Sequence, residues 1–187
     1  MASTVRFTVR DLELTPDDGN RYEIIDGDLH VSKQPHWHHQ KACDELTYVL
    51  TEWEKRTQAG TSISAPGVIF ADDQAVAPDL VWISRERFRH VVSDDGKLYA
   101  APDLVVEVLS PGRTNEERDR ELKLRLYSRE GVREYWIIDW QASVVQVYRR
   151  ENAALALAAT LHAEDQLTSP LLPGFGCIVS TLCEAPF

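Results

Sequence analysis

The spacing of apolar positions changes several times along the chain, and each change marks an element. Between Arg21 and Val31 the segments Tyr22-Glu23-Ile24-Ile25 and Asp28-Leu29-His30-Val31 flank Asp26-Gly27. Asp-Gly between two apolar runs predicts a β-hairpin, because both residues tolerate the positive φ of a tight turn. Ahead of it, Thr8–Leu14 predicts a short helical turn, with Thr8 and Asp11 at capping-box spacing. Leu46, Val49, Leu50 and Trp53 recur at helical spacing, which predicts a helix over Trp37–Thr57 that Gly60 ends. Ser62–Phe70 and Pro78–Ser84 predict strands separated by an acidic turn at 71–75, and Arg85–Val92 predicts a short helix.

Pro102–Leu109 is the most apolar stretch and predicts the central strand of a sheet, buried on both faces. Ser110-Pro111-Gly112 breaks it. A helix follows, expected to be capped by Thr114 with Glu117 completing the box, to run to Arg129 and to stop at Gly131. Glu134–Asp139 predicts another strand, paired with Val144–Arg149, and the tail beyond Asn152 holds one or two more, with turns at Pro170 and Pro173-Gly174. The order of elements predicts one α/β domain over residues 1–187. Its core is a mixed β-sheet flanked by helices, with an N-terminal β-hairpin.

Composition narrows the class. A chain of 187 residues with 43% hydrophobic content suits one domain with its own core. No apolar run is long enough to span a bilayer, and MASTVRFTVRDLEL lacks the apolar middle of a signal peptide. A cytoplasmic protein without a membrane partner is expected. Cys43, Cys177 and Cys183 have no metal-ligand spacing and read as reduced structural thiols. The net charge of −10 opposes general polyanion binding, so any contact with nucleic acid must use a local basic patch. The same acidity suits a site that gathers cations.

Candidate chemistry begins with Glu107. Alternation puts Asp103, Val105 and Glu107 on one face of the central strand. A carboxylate in such a strand costs several kcal/mol (roughly) unless it is paired or metal-bound. Asp79 opens a second apolar strand that could lie alongside. On the following helix Asp119, Lys123 and Tyr127 are four residues apart and line one stripe beside Leu122 and Leu126. Arg118, Glu121, Arg125 and Arg129 fall on the other side. Lys123 is therefore expected to reach Glu107. Two carboxylates and a lysine suit metal-assisted phosphodiester hydrolysis, with hard oxygen ligands selecting Mg²⁺ or Mn²⁺.

The stretch APDLVVEVLSPGRTNEERDRELKLRLYSREGVREYWIIDW, with RYEIIDGDLHV and APDLVWIS before it, resembles the Uma2 family of the PD-(D/E)XK nuclease superfamily. The similarity covers roughly residues 8 to 180. It implies a restriction-endonuclease-like fold and metal-dependent endonucleolytic cleavage of nucleic acid, with DNA the expected substrate and a homodimer the expected assembly. By position, Asp79 matches the first carboxylate and Glu107 the acid of the second motif. Val108 is implied to offer its backbone carbonyl to the metal. Leu109 stands where the superfamily usually has its lysine, and Lys123 takes that role from the next helix. Glu23 matches a recurring family position that a hairpin salt bridge explains equally, and His39 lies where family members often carry a histidine.

Other readings stay open. A structural ion pair between Glu107 and Lys123, in a catalytically silent binding or regulatory module, is the main alternative. Asp103 reads as a strand-end acid, and Asp119 and Tyr127 as supporting or packing residues. His36, His38 and His39 lack a partner set for zinc and read as a polar helix entrance. Arg113, Arg118, Arg120, Arg125 and Arg129 form the one obvious basic cluster, a solvated face that phosphate could also meet.

Overall fold

The computed structural model describes residues 5–184, except for the side chain of Arg113. In chain order it begins with α1 (Val9–Leu12), β1 (Arg21–Ile25), β2 (Asp28–Ser32) and α2 (Trp37–Thr57). Next come β3 (Gly60–Ser64), β4 (Val68–Ala71), β5 (Gln74–Val76), β6 (Leu80–Ser84), α3 (Phe88–Val91) and β7 (Leu104–Val108). One continuous helical segment follows, made of α4 (Arg113–Glu117), a π-helical stretch (Arg118–Lys123) and α5 (Leu124–Glu130). The chain closes with β8 (Glu134–Asp139), β9 (Val144–Glu151), β10 (Ala154–Leu161), β11 (Gln166–Leu167), β12 (Cys177–Ile178) and α6 (Val179–Cys183).

The main sheet is mixed and six-stranded, in the order β10-β9-β8-β7-β6-β3. Only β7 and β8 pair in parallel, and a parallel pair needs a crossover connection. The helical segment 113–130 is that crossover, so it packs over the face that carries Glu107. All five residues of β7 are buried. Leu104, Val106 and Val108 join a core layer with Ala42, Leu46 and Leu50 of α2. Val105 faces the other layer, with Leu126 and Tyr127 of α5. Both layers are filled, which is why this strand reads as unbroken apolar sequence.

A second, four-stranded sheet has the order β2-β1-β5-β4. Its hairpin turns where expected: Asp26 and Gly27 take φ of 51° and 77°, with Ile25 opposite Asp28. At α1, the Asp11 carboxylate accepts from the backbone N–H of Thr8 at 2.7 Å and from its hydroxyl at 2.9 Å. Among the described residues no helix is long and apolar enough to cross a membrane.

Three local expectations are corrected. The left-handed residue that ends α2 is Gln58, at φ 51°, not Gly60. Gly60 instead opens β3, where a Cβ would overlap the carbonyl of Ile83 and the ring of Trp82. The single strand expected over Ser62–Phe70 is two strands in different sheets, because Ala65 turns left-handed at φ 48° and Pro66 cannot donate to a ladder. The cap of the crossover helix is Gly112 rather than Thr114, at a φ of 118° that favours glycine, so the Thr114–Glu117 box is replaced by an earlier start.

Candidate active site

Strand pairing brings the first two carboxylates together. Leu80 of β6 lies opposite Val106 of β7. Asp79, one residue ahead of β6, therefore meets the end of β7, and its Oδ2 accepts the backbone N–H of Val108 at 2.8 Å. Asp79 and Glu107 thus share the floor of a cleft of about 550 Å³, with Val108 also on its wall.

The crossover helix supplies the cation. Lys123 is fully buried, and its Nζ lies 2.9 Å from Glu107 Oε1. Tyr127 donates its hydroxyl to the same oxygen at 2.8 Å. Asp119 Oδ1 is 3.7 Å from Lys123 Nζ. The expected stripe of Asp119, Lys123 and Tyr127 is thus buried and faces Glu107.

The N-terminal hairpin closes the group. Glu23 Oε1 lies 2.9 Å from Lys123 Nζ and accepts the Ala77 N–H at 2.9 Å. Glu23 Oε2 is buried without a hydrogen-bond partner among the described residues. Arg21, two residues away on the same strand face, pairs with Asp79 Oδ1 at 2.8 Å. Arg21 was missed in the sequence, although its spacing from Glu23 was the available signal. Arg118 was placed on the solvent side and is not there. Its Nε lies 3.2 Å from Asp119 Oδ1 and 3.9 Å from Glu23 Oε2, and its Nη1 donates to Ser32 Oγ. The cause is the π-helical stretch, whose i→i+5 turn brings residues 118 and 123 to one face.

Four carboxylates (Glu23, Asp79, Glu107 and Asp119) thus meet three permanent cations (Arg21, Arg118 and Lys123). Burial opposes the charge of Asp79. The hydrogen bond from His39, with Arg21 and Lys123 nearby, nevertheless holds that carboxyl well below its usual range. Burial pushes Glu107 up to about 8, and the charges of Asp79, Asp119 and Glu23 work against the pull of Lys123. Burial likewise opposes the Lys123 charge, but Glu107, Glu23 and Asp119 overcome it and raise its pKa. With Glu107 protonated below about 8, three carboxylates balance the three cations; a divalent ion would displace that proton, and the all-oxygen donors and the orphaned Glu23 oxygen fit a hard one.

His39 is not a bland helix entrance. It is buried, and its Nε2 lies 3.1 Å from Asp79 Oδ2 while its Nδ1 lies 3.7 Å from Cys43 Sγ. Ligand atoms of His39, Cys43 and Asp79 lie within 4.8 Å of one another, so the zinc partners missing from the sequence neighbourhood are present in space. The ring, however, points different nitrogens at the two neighbours. Burial, together with the Asp79 charge, raises the Cys43 thiol, which keeps its proton to donate to His39 Nδ1 in the metal-free protein. The arrangement is a hydrogen-bonded chain that orients Asp79.

A family model described as "putative restriction endonuclease", Uma2, matches residues 9–180. The chain belongs to the Uma2 family. Among solved structures, it is similar to "a putative nuclease belonging to DUF820" from Anabaena variabilis. The TM-score is 0.76 at 18% identity, over 94% of this chain and 97% of the other. That likeness shows the shared fold. The type IIG restriction endonuclease BpuSI aligns at TM-score 0.43 and 13% identity, over 78% of this chain and 15% of that one, too low to carry an argument. No curated protein matches in sequence.

One residue of this Uma2 chain is not brought into the site. Asp103 sits at the opposite end of β7 from Glu107. It pairs with Arg87 at 2.8 Å and Arg133 at 3.0 Å and accepts the Ser84 N–H at 2.9 Å. The basic run also divides. Arg118 enters the cleft, Arg120 pairs with Asp139 at 3.1 Å, and Arg129 pairs with Asp26 at 3.1 Å.

Proposed function

We propose that this chain is a divalent-metal-dependent endonuclease that hydrolyses phosphodiester bonds of DNA. The observation that carries the reading is the meeting of Asp79 and Glu107 on one cleft floor, with a buried lysine paired to Glu107. Asp79, Glu107 and the Val108 carbonyl are the groups that would hold Mg²⁺ or Mn²⁺. Bound there, such an ion supplies an acidified water and neutralises charge growing on the phosphate.

The protein's own groups do the rest. Lys123 has three N–H donors, and Glu107 and Glu23 engage two of them closely. The third, with only the looser Asp119 contact at 3.7 Å, is the one that turns to the attacking water or a phosphate oxygen. Tyr127 keeps its proton, because burial holds the phenol well above its usual range, and it fixes Glu107. Arg21 and Arg118 line the cleft, where each is held by a carboxylate, Asp79 and Asp119.

One observation favours the alternative, a catalytically silent module. Asp79 already accepts from Arg21, His39 and Val108. Incubation of supercoiled plasmid with Mg²⁺ or Mn²⁺ separates the two readings. The wild type is expected to nick, and Asp79→Ala and Glu107→Ala are not. Equal nicking by wild type and Glu107→Ala would overturn the assignment. Absence of Mg²⁺ binding to the wild type in calorimetry would support the module.

A further inference from the structure

Beside the cleft, the start of α2 carries a group of rings. Trp37, its first residue, lines the cleft and is 52% exposed. His36 stacks on Trp140, with centroids 5.4 Å apart and planes 8° apart; the Trp37 ring lies 5.8 Å from His36 and 3.5 Å from His38, which is itself 4.7 Å from Trp140. Trp140 is anchored from beneath, its indole N–H donating to the Leu109 carbonyl at 3.0 Å. In a packing cluster the largest ring would be the covered one. Here His36 and Trp37 are exposed, and Trp140 is half-buried.

A second cavity of about 450 Å³ shares Ser32, Lys33, Gln34, Pro35 and Ser110 with the first, and His36 lines it. Trp37 thus lines the cleft and His36 the neighbouring cavity. The exposed rings, more than charge, decide what these cavities take. Duplex DNA is held mainly through phosphate neutralisation by Lys and Arg. This chain has a net charge of −10, and its two cleft arginines are each committed to carboxylates, which leaves the exposed Lys33 as the cation shared by both cavities. A single strand carries phosphates too, but it also offers free ring faces that can stack on an exposed indole. Bases inside a duplex already stack on one another, so Trp37 can meet only an unpaired one.

We infer that the His36, Trp37 and Trp140 rings form a stacking site for unpaired bases, and that the strand led into the cleft is single-stranded DNA. The statement that this strand continues to the carboxylates rests on the nuclease reading; the stacking site itself is measurable apart from it.

The test is fluorescence titration of the full chain in EDTA, with an oligothymidylate and with a hairpin duplex. The oligothymidylate is expected to quench tryptophan emission and to bind at least about tenfold tighter than the duplex. Trp37→Ala should weaken single-strand binding by about tenfold, the loss typical of one base–aromatic stack. Trp37→Phe should restore most of it, and the heat of Mg²⁺ binding should be unchanged in both variants. Duplex binding as tight as single-strand binding, or Trp37→Ala binding like the wild type, overturns the inference. If plasmid nicking fails but these shifts appear, the stacking site stands without the nuclease. If nicking succeeds and Trp37→Ala binds normally, the nuclease stands without the stacking site.

Discussion

Lys123 and Arg118 close on the two oxygens of one buried carboxylate, Glu23. Lys123 Nζ lies 2.9 Å from Oε1, and Arg118 Nε lies 3.9 Å from Oε2. The two cations are five positions apart, and the π-helical turn stacks them. Glu23 thereby ties the N-terminal hairpin to the crossover helix.

Glu23→Gln removes that shared counter-charge and leaves a buried lysine and a partly buried arginine under-compensated. Breaking a buried pair from one side costs about 3 kcal/mol. The variant should lose that much in urea unfolding, and Glu23→Gln with Lys123→Met should recover part of it. Additive losses in the double variant would show that the two residues do not act as a pair.

Glu107 sets a pH dependence in the metal-free protein. Its folded carboxyl sits at about 8 against an ordinary 4.5. The folded state therefore keeps a proton that the unfolded chain releases, and its stabilising contribution is lost as pH rises from about 4.5 to about 8. Glu107→Gln, neutral in both states, should flatten this decline. Unfolding in EDTA at several pH values across that window checks it; parallel curves for the two proteins would contradict it.

Asp103 should matter for stability and not for the metal. Burial opposes its charge, but the Ser84 N–H, Arg87 and Arg133 hold its carboxyl below the ordinary value. That contribution is present above the unfolded carboxylate range and is lost as pH falls through the folded value, below about 4. Asp103→Asn should cost about 2 kcal/mol at neutral pH, the worth of a charged hydrogen bond, and show less acid sensitivity. Its Mg²⁺ titration should match the wild type; a changed metal affinity would place Asp103 in the site after all.

What could be read in advance followed from rules that act locally. The hairpin at Asp26-Gly27 needed only turn chemistry, Glu107 stood out by its cost in a central strand, and α-helical spacing was enough to aim Lys123 inward. Features set by non-local packing were not legible. Gly60 mimicked a helix stop, but it is required by Trp82 and Ile83 across the ladder. The left-handed turn at Ala65 divides what looked like one strand between two sheets. Arg118 was assigned to solvent because an ideal α-helix would put it there, and nothing in the sequence announced the wider turn. His39 found Cys43 one turn along its own helix, but Asp79 only through the fold.

The central claim is that Asp79 and Glu107 hold a hard divalent cation, and a crystal soaked in Mn²⁺ tests it most directly. Anomalous density between the Asp79 and Glu107 carboxylates, near the Val108 carbonyl, is the predicted result. Density confined to the space beside His39 and Cys43, or no density at saturating Mn²⁺, would contradict it.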